Sequence, residues 1–302
     1  MQEFIIILNL QIQMILLAAT GFILARLGIM QKEVRQGIVN ICFYVVVPCN
    51  IVRSFEVEFS GEMVRNMVTI LIIAAGVQLF GLLLCKILYR KKEDGKRRIL
   101  SYGTMISNQG FMGLPVINSL LGSTGFMYAS IALIPYRVVM WTIAFAQFSG
   151  SCGRKTVLKM IIHPCMIAVF IGLAILIGGI KLPYVIDSTL ASVGGCVLPL
   201  VMISIGSIFV DVKFKELISK EVIQFTFVRL LLIPGIVLLS MKLLHVDEVI
   251  AAVTVIFAAM PAAIVTAVLA EQFGYDSVFA SNCVMATTLL SIGTITFWLL
   301  FI

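Results

Sequence analysis

The stretch Ser107–Val116, SNQGFMGLPV, lies inside a run that otherwise reads as a membrane-spanning helix. Proline lacks a backbone N–H and its ring crowds the carbonyl one turn back. Hydrocarbon offers no partner for backbone groups freed in this way, so a break is tolerated only where protein covers it or where it lines a wet cavity. An Asn-Gln pair, two glycines and a proline together at that depth predict such a break.

The rest of the chain supports the membrane reading. Of its 302 residues 61% are hydrophobic and only 12% charged, with a mean hydropathy of +1.11, too little polar surface to cover a water-soluble globule. Ten apolar runs of roughly 20 residues, the length that crosses a bilayer, lie near 4–28, 34–55, 63–88, 99–121, 124–149, 160–180, 186–210, 221–244, 247–270 and 276–302. The short period-two segments of a membrane barrel are absent, and the expected fold is all-α. The opening MQEF carries no positive n-region, so the first run is read as a retained helix rather than a signal peptide. Seven cysteines occur without metal-like spacing and are read as small core hydrophobes. His163 and His245 fall near run ends, and no metal or cofactor is expected.

Lys and Arg concentrate in cytoplasmic loops. The connections after runs 1, 3, 5 and 7 carry Arg26, Lys32 and Arg35, then Lys86 to Arg98, then Arg154, Lys155 and Lys159, then Lys213, Lys215 and Lys220. The opposite connections hold Arg53, Arg65, Lys181 and Lys242 among several carboxylates. Both termini are therefore expected outside the cytoplasm of a multi-pass plasma-membrane protein. The basic run RKKEDGKRR is wedged between two apolar runs, which makes it a lipid-facing loop rather than a nucleic-acid site.

Prolines recur at half-chain spacing. Pro48 and Pro199, in runs 2 and 7, lie 151 residues apart, and Pro115 and Pro261, in runs 4 and 9, lie 146 apart. Five helices is an odd number, so a second copy enters the membrane inverted, as in many secondary transporters. The expected repeats are 1–150 and 151–302. Breaks around Asn108–Pro115 and at Pro261 would meet near mid-depth, where half-helix N-termini present amides with partial positive charge, a site for an anion. Ordinary kinked helices, with glycine for close packing, are the competing reading.

Arg137 lies roughly 13 residues from either end of run 5, about 20 Å at about 1.5 Å per residue, beyond snorkelling reach. Its charge requires a partner at that depth, either backbone carbonyls or the substrate. Arg229 is only about 8 residues, roughly 12 Å, from the end of run 8, within reach of the interface. Tyr136, Ser204, Ser207 and Thr266 are candidates to line a polar cavity, against the usual alternative that such hydroxyls bond their own backbone.

The segments NQGFMGLPVINSLLG, Asn108–Gly122, and MPAAIVTAVLAEQFGYD, Met260–Asp276, resemble the auxin efflux carrier family, which includes plant auxin exporters and proposed bacterial malate and malonate permeases. Asn108 followed seven positions later by Pro115, and Pro261-x-x-Ile-Val followed by Ala270-x-x-Phe273, carry the likeness. The resemblance implies crossing helices 4 and 9, a scaffold of helices 1, 2, 6 and 7, a mobile domain of helices 3–5 and 8–10 moving like an elevator, and a homodimer. The connection between runs 5 and 6 is about ten residues, unlike the long loop of many plant exporters, which favours a carrier of small organic acids.

The function expected is a secondary transporter for malate- or malonate-like or monocarboxylate anions. In this reading Asn108 and Gln109 bond the carboxylate, Arg137 supplies charge, Tyr136 and Thr266 line the site, and Gly110, Gly113, Pro115 and Pro261 form the breaks. No phosphate-binding nucleotide loop is present, against an ATP-driven pump. A negative cell interior expels an anion with about 2.3 kcal/mol per charge per 100 mV, so uncoupled export is feasible, with sodium on break carbonyls as the alternative. An intramembrane enzyme finds no nucleophile or HExxH motif. A receptor binding the same anion without moving it is the remaining rival.

Overall fold

The computed structural model describes residues 2–56, 60–149, 162, 164–208, 210 and 217–302. Eleven helical stretches span these residues: α1 (Gln2–Arg26), α2 (Lys32–Ser54), α3 (Gly61–Leu88), α4 (Asp94–Met105), α5 (Gln109–Phe148), α6 (Pro164–Gly178), α7 (Tyr184–Ile208), α8 (Lys220–Leu243), α9 (Glu248–Ala259), α10 (Val265–Gln272) and α11 (Ser277–Leu299). No strand occurs among the described residues beyond one isolated bridge, Ser107 with Ala262. The junction near residue 150, His163, Arg154, Lys155, Lys159, Lys213 and Lys215 lie outside the described residues.

Six of the helices, α2, α3, α5, α7, α8 and α11, are long and apolar enough to cross a membrane. α5 covers 40 residues, about 60 Å at 1.5 Å per residue, twice a hydrocarbon core of about 30 Å. Gly122 divides it: φ 62° and ψ −156° form a conformation almost reserved for glycine. The 12 residues of α4 and of α9 are each too short to cross alone. Each is followed after a few residues by a second helical piece, as a broken span requires.

Three of the helical prolines are each preceded by a wide turn. The π-helical turns Cys42–Val46, Gln109–Gly113 and Val228–Leu232 end two residues before Pro48, Pro115 and Pro234. In each, an amide reaches back five residues: Val47 to Cys42, Gly113 to Asn108 and Ile233 to Val228. The extra residue makes room for the ring and relieves the clash that would kink an α-helix. Proline 234 also leaves the Leu230 carbonyl without its helical donor, and the Trp298 indole N–H donates to it at 2.8 Å.

The chain divides into two compact units. The first comprises Met1–Arg65, Leu114–Ile131 and Ile161–Val212, hence α1, α2, the middle of α5, α6 and α7. Within it α1 and α7 approach backbone to backbone. A Cβ on Gly21 would lie 1.9 Å from the Ile203 carbonyl oxygen, and one on Gly206 1.8 Å from that of Ala18. Small residues allow such contact between membrane helices. Phe55 is fully buried and lies over Gly172, while Arg53 pairs with Asp187 at 2.7 Å.

The second unit comprises Asn66–Gly113, Ala132–Met160 and Lys213–Ile302, hence most of α3, α4, both ends of α5, and α8 to α11. Its core includes Ile233, Val237 and Met241 of α8 against Val255 and Ala258 of α9, with Ile73, Val77 and Leu84 of α3 packed on them. Lys92 and Lys96 clasp Glu221 at 3.1 and 2.7 Å, tying the start of α4 to the start of α8. The Glu221 carboxylate, first by its hydrogen bond and then by its charge, raises the pKa of the Lys96 ammonium.

Candidate functional site

Two helices stop inside the second unit and restart a few residues later. α4 ends at Met105 and α5 begins at Gln109, while α9 ends at Ala259 and α10 begins at Val265. Between these ends the chain is extended, and the two extended pieces pair. The Asn108 amide donates to the Pro261 carbonyl at 2.7 Å and the Ala263 amide to the Ile106 carbonyl at 3.0 Å, closing the antiparallel bridge of Ser107 with Ala262. The Ala262 amide donates to Thr287 Oγ1 at 3.2 Å, and the Tyr136 hydroxyl donates to the Ser107 carbonyl. Backbone groups that lipid cannot satisfy are thus satisfied by one another.

Arg229 completes this arrangement. It is 3% exposed. Its Nε donates to the Met260 carbonyl at 3.0 Å, Nη1 to Thr104 at 3.3 Å and Nη2 to Ala258 at 3.1 Å. Helix C-termini carry a partial negative charge, and here one guanidinium caps the carbonyl ends of α4 and α9 together. The rigid fork of five donors suits that task, where a lysine ammonium would not span it. Reach to the interface misjudges this residue: the side chain turns inward to the unpaired carbonyls instead of snorkelling.

The break lies at Ile106–Asn108, ahead of the expected centre. Gly110 and Gly113 belong to the π turn that restarts the helix, and Pro115 is helical. Gly113 is required by packing, because a Cβ there would meet the Phe257 ring at 2.8 Å. Pro261 does lie in the second break, and its carbonyl is the acceptor for Asn108.

With the negative helix ends capped, the positive ends remain. The Asn108 carbonyl accepts from Met112 and Gly113, which makes Asn108 the capping residue just ahead of α5. The amides of Gln109 and Gly110 lie in the first turn of that helix, where amides have no acceptor within the helix itself. At α10 the first turn is tighter: Thr266 bonds back to Ala263, and Ala267 and Val268 to Ile264. The start of α5 is therefore the more open of the two.

Several buried polar atoms around these breaks have no partner among the described residues. They include Asn108 Nδ2, Thr266 Oγ1 and Gln78 Oε1, on side chains 6%, 1% and 6% exposed. An orphaned buried donor costs about 1–3 kcal/mol, and such groups in a native fold call for a function or an occupant. Gln109 is buried too and, with Gln78, Thr104, Ser107 and Arg229, borders a cavity of about 20 Å³, room for about one water. Arg137 is 8% exposed and follows Tyr136 in α5. Ser204 and Ser207 are buried in α7 of the first unit, and Ser207 bonds the Ser204 carbonyl at 2.7 Å, a local backbone bond of the ordinary kind.

No group of three or more His, Cys, Asp or Glu that could hold a metal occurs among the described residues. The family profile described as "Membrane transport protein" matches residues 6–299. An uncharacterized transporter of Methanothermobacter thermautotrophicus is 27% identical over 297 residues, 95% of each chain. An uncharacterized transporter of Methanocaldococcus jannaschii is 23% identical over 295 residues, 94% of this chain and 95% of its own.

Proposed function

The chain belongs to the membrane transport protein family, that of the auxin efflux carriers, and on that premise we propose that it is a secondary transporter carrying small organic carboxylate anions through the crossing of its broken helices. The observation that carries this reading is the bridge of Ser107 with Ala262, beside which Asn108 Nδ2 is buried without a partner among the described residues. Arg229 neutralises the carbonyl ends of α4 and α9, so the surplus charge at the crossing is that of the helix N-termini. Helix N-termini with free amides bind carboxylates and phosphates. Asn108 Nδ2 and the amides of Gln109 and Gly110 supply donors to a carboxylate, Arg137 supplies charge, Tyr136 holds the Ser107 carbonyl, and Thr266 lines the second break.

The carrier works as ten spans in two inverted repeats, 1–150 and 151–302, with both termini outside the cytoplasm and two copies to a dimer. The grouping of α1, α2, α6 and α7 in one unit and of α3, α4 and α8 to α11 in the other supports a scaffold and a mobile body working as an elevator, although the middle of α5, Leu114–Ile131, falls in the unit of the scaffold helices. Transport is export or exchange, without a coupling sodium at the breaks. The carbonyls of Thr104, Ala258 and Met260 accept from Arg229, which puts a fixed positive charge where a coupling sodium would need them.

The test is uptake of labelled malate and malonate into proteoliposomes. Asn108→Ala should lower the initial rate at least about tenfold, the loss expected for one charge-assisted hydrogen bond of about 1.5–3 kcal/mol, with melting temperature within a few degrees of the parent. Unchanged uptake by a folded variant removes the crossing from the transport path. Binding of these acids with no flux favours a receptor.

A further inference from the structure

We propose that a cleft formed by α3, α4 and the end of α5 binds the phosphate headgroup of an anionic phospholipid. The cleft has a volume of about 420 Å³, within the range of about 300–1,000 Å³ typical of ligand sites. Lys86, Arg90, Arg97 and Arg98 line it together with the apolar Leu82 and Ile143. Leu82 and Lys86 lie one turn apart on α3, and Arg90 follows just past its end at Leu88. The lining thus changes from hydrocarbon to cation where a membrane-spanning helix ends, the level at which lipid phosphates lie.

The charges are unevenly matched. Asp94 takes both Arg97 and Arg98, the latter through Nε at 2.7 Å, and Arg98 also donates to the Gln147 carbonyl. That fixes Arg98 as part of the wall joining α4 to α5. Lys86 and Arg90 are exposed and form no ion pair among the described residues. Two open cations beside a half-neutralised arginine pair attract an anion, and basic pockets between membrane helices suit phosphate headgroups. Leu79, Leu83 and Ile87, spaced four residues apart on α3, are 58%, 52% and 75% exposed. This exposed apolar stripe lies on the same helix as the lining residues Leu82 and Lys86, as acyl chains need and a soluble phosphate does not.

The experiment uses the full chain in neutral detergent, titrated with dioctanoyl phosphatidylglycerol and followed by native mass spectrometry and thermal melting. Dioctanoyl phosphatidylcholine controls for the acyl chains and glycerol 1-phosphate, at matched ionic strength, for the anion. Saturable binding and a raised melting temperature are expected for phosphatidylglycerol, with at least about tenfold weaker responses from both controls. Lys86→Gln with Arg90→Gln should keep the unliganded melting temperature and weaken phosphatidylglycerol about tenfold or more, at about 1 kcal/mol for each surface cation. Lys86→Arg with Arg90→Lys, which keeps both charges, should retain the affinity. Equal phosphatidylglycerol affinity in the neutral variant overturns the proposal. So does glycerol 1-phosphate matching the lipid, which would make this a site for soluble anions, or an equal loss in the charge-conserving pair, which would trace the effect to shape.

Discussion

Arg229 donates from Nε to the carbonyl of Met260 at 3.0 Å, from a turn of α8 to the break that follows α9. The same guanidinium serves Thr104 and Ala258. Its removal would orphan three buried carbonyls at about 1–3 kcal/mol each. Arg229→Met, which keeps the bulk, is expected to destabilise the folded protein by on the order of 3 kcal/mol or more. Arg229→Lys keeps the charge but loses the fork, and should fall between. The measurement is thermal melting in detergent; a methionine variant as stable as the parent would mean that the carbonyls find other donors.

Tyr136→Phe removes the hydroxyl that donates to Ser107 and leaves the ring in place. A net loss of about 1 kcal/mol in stability is expected for one hydrogen bond. Because the freed carbonyl belongs to the bridge itself, transport should fall by a larger factor than folding stability accounts for. Initial-rate uptake at several substrate concentrations, set beside melting temperature, separates the two.

Gly122→Ala and Gly206→Ala test two different demands for glycine. A Cβ on Gly122 would meet nothing within 4 Å, but its φ of 62° is strained for alanine, at about 1–3 kcal/mol. A Cβ on Gly206 would press on a backbone carbonyl 1.8 Å away, which no side-chain rotation relieves. Gly206→Ala should therefore be the more damaging of the two, by melting temperature and by yield of monodisperse protein. Equal tolerance of both would contradict the close crossing of α1 and α7.

Much of this was legible in the sequence, and what was not has physical causes. Composition gave the helical membrane class, and the paired motifs at Asn108 and Pro261 pointed to the two breaks. The exact position of the first break was not legible from Pro115, because a π turn two residues earlier lets that proline stay in a helix. Arg229 was misplaced because distance along a helix bounds how far a side chain can reach and does not reveal the unpaired carbonyls of Thr104, Ala258 and Met260, which come from distant parts of the chain. The fork of an arginine in an otherwise apolar run, with broken helices elsewhere, was the available signal. Spans made of half-helices such as α4 and α9 escape any criterion of continuous length, since 12 residues reach only about 18 Å.

Malate- and malonate-induced thermal stabilisation of the parent protein and of Asn108→Asp tests the anion site most directly, since a ligand bound only by the folded state raises the melting temperature. The substitution is nearly isosteric and replaces the unpartnered amide with a carboxylate. The parent should be stabilised by the carboxylates, and Asn108→Asp should lose that response while remaining folded. Equal stabilisation of both proteins would contradict an anion held at the crossing of the broken helices.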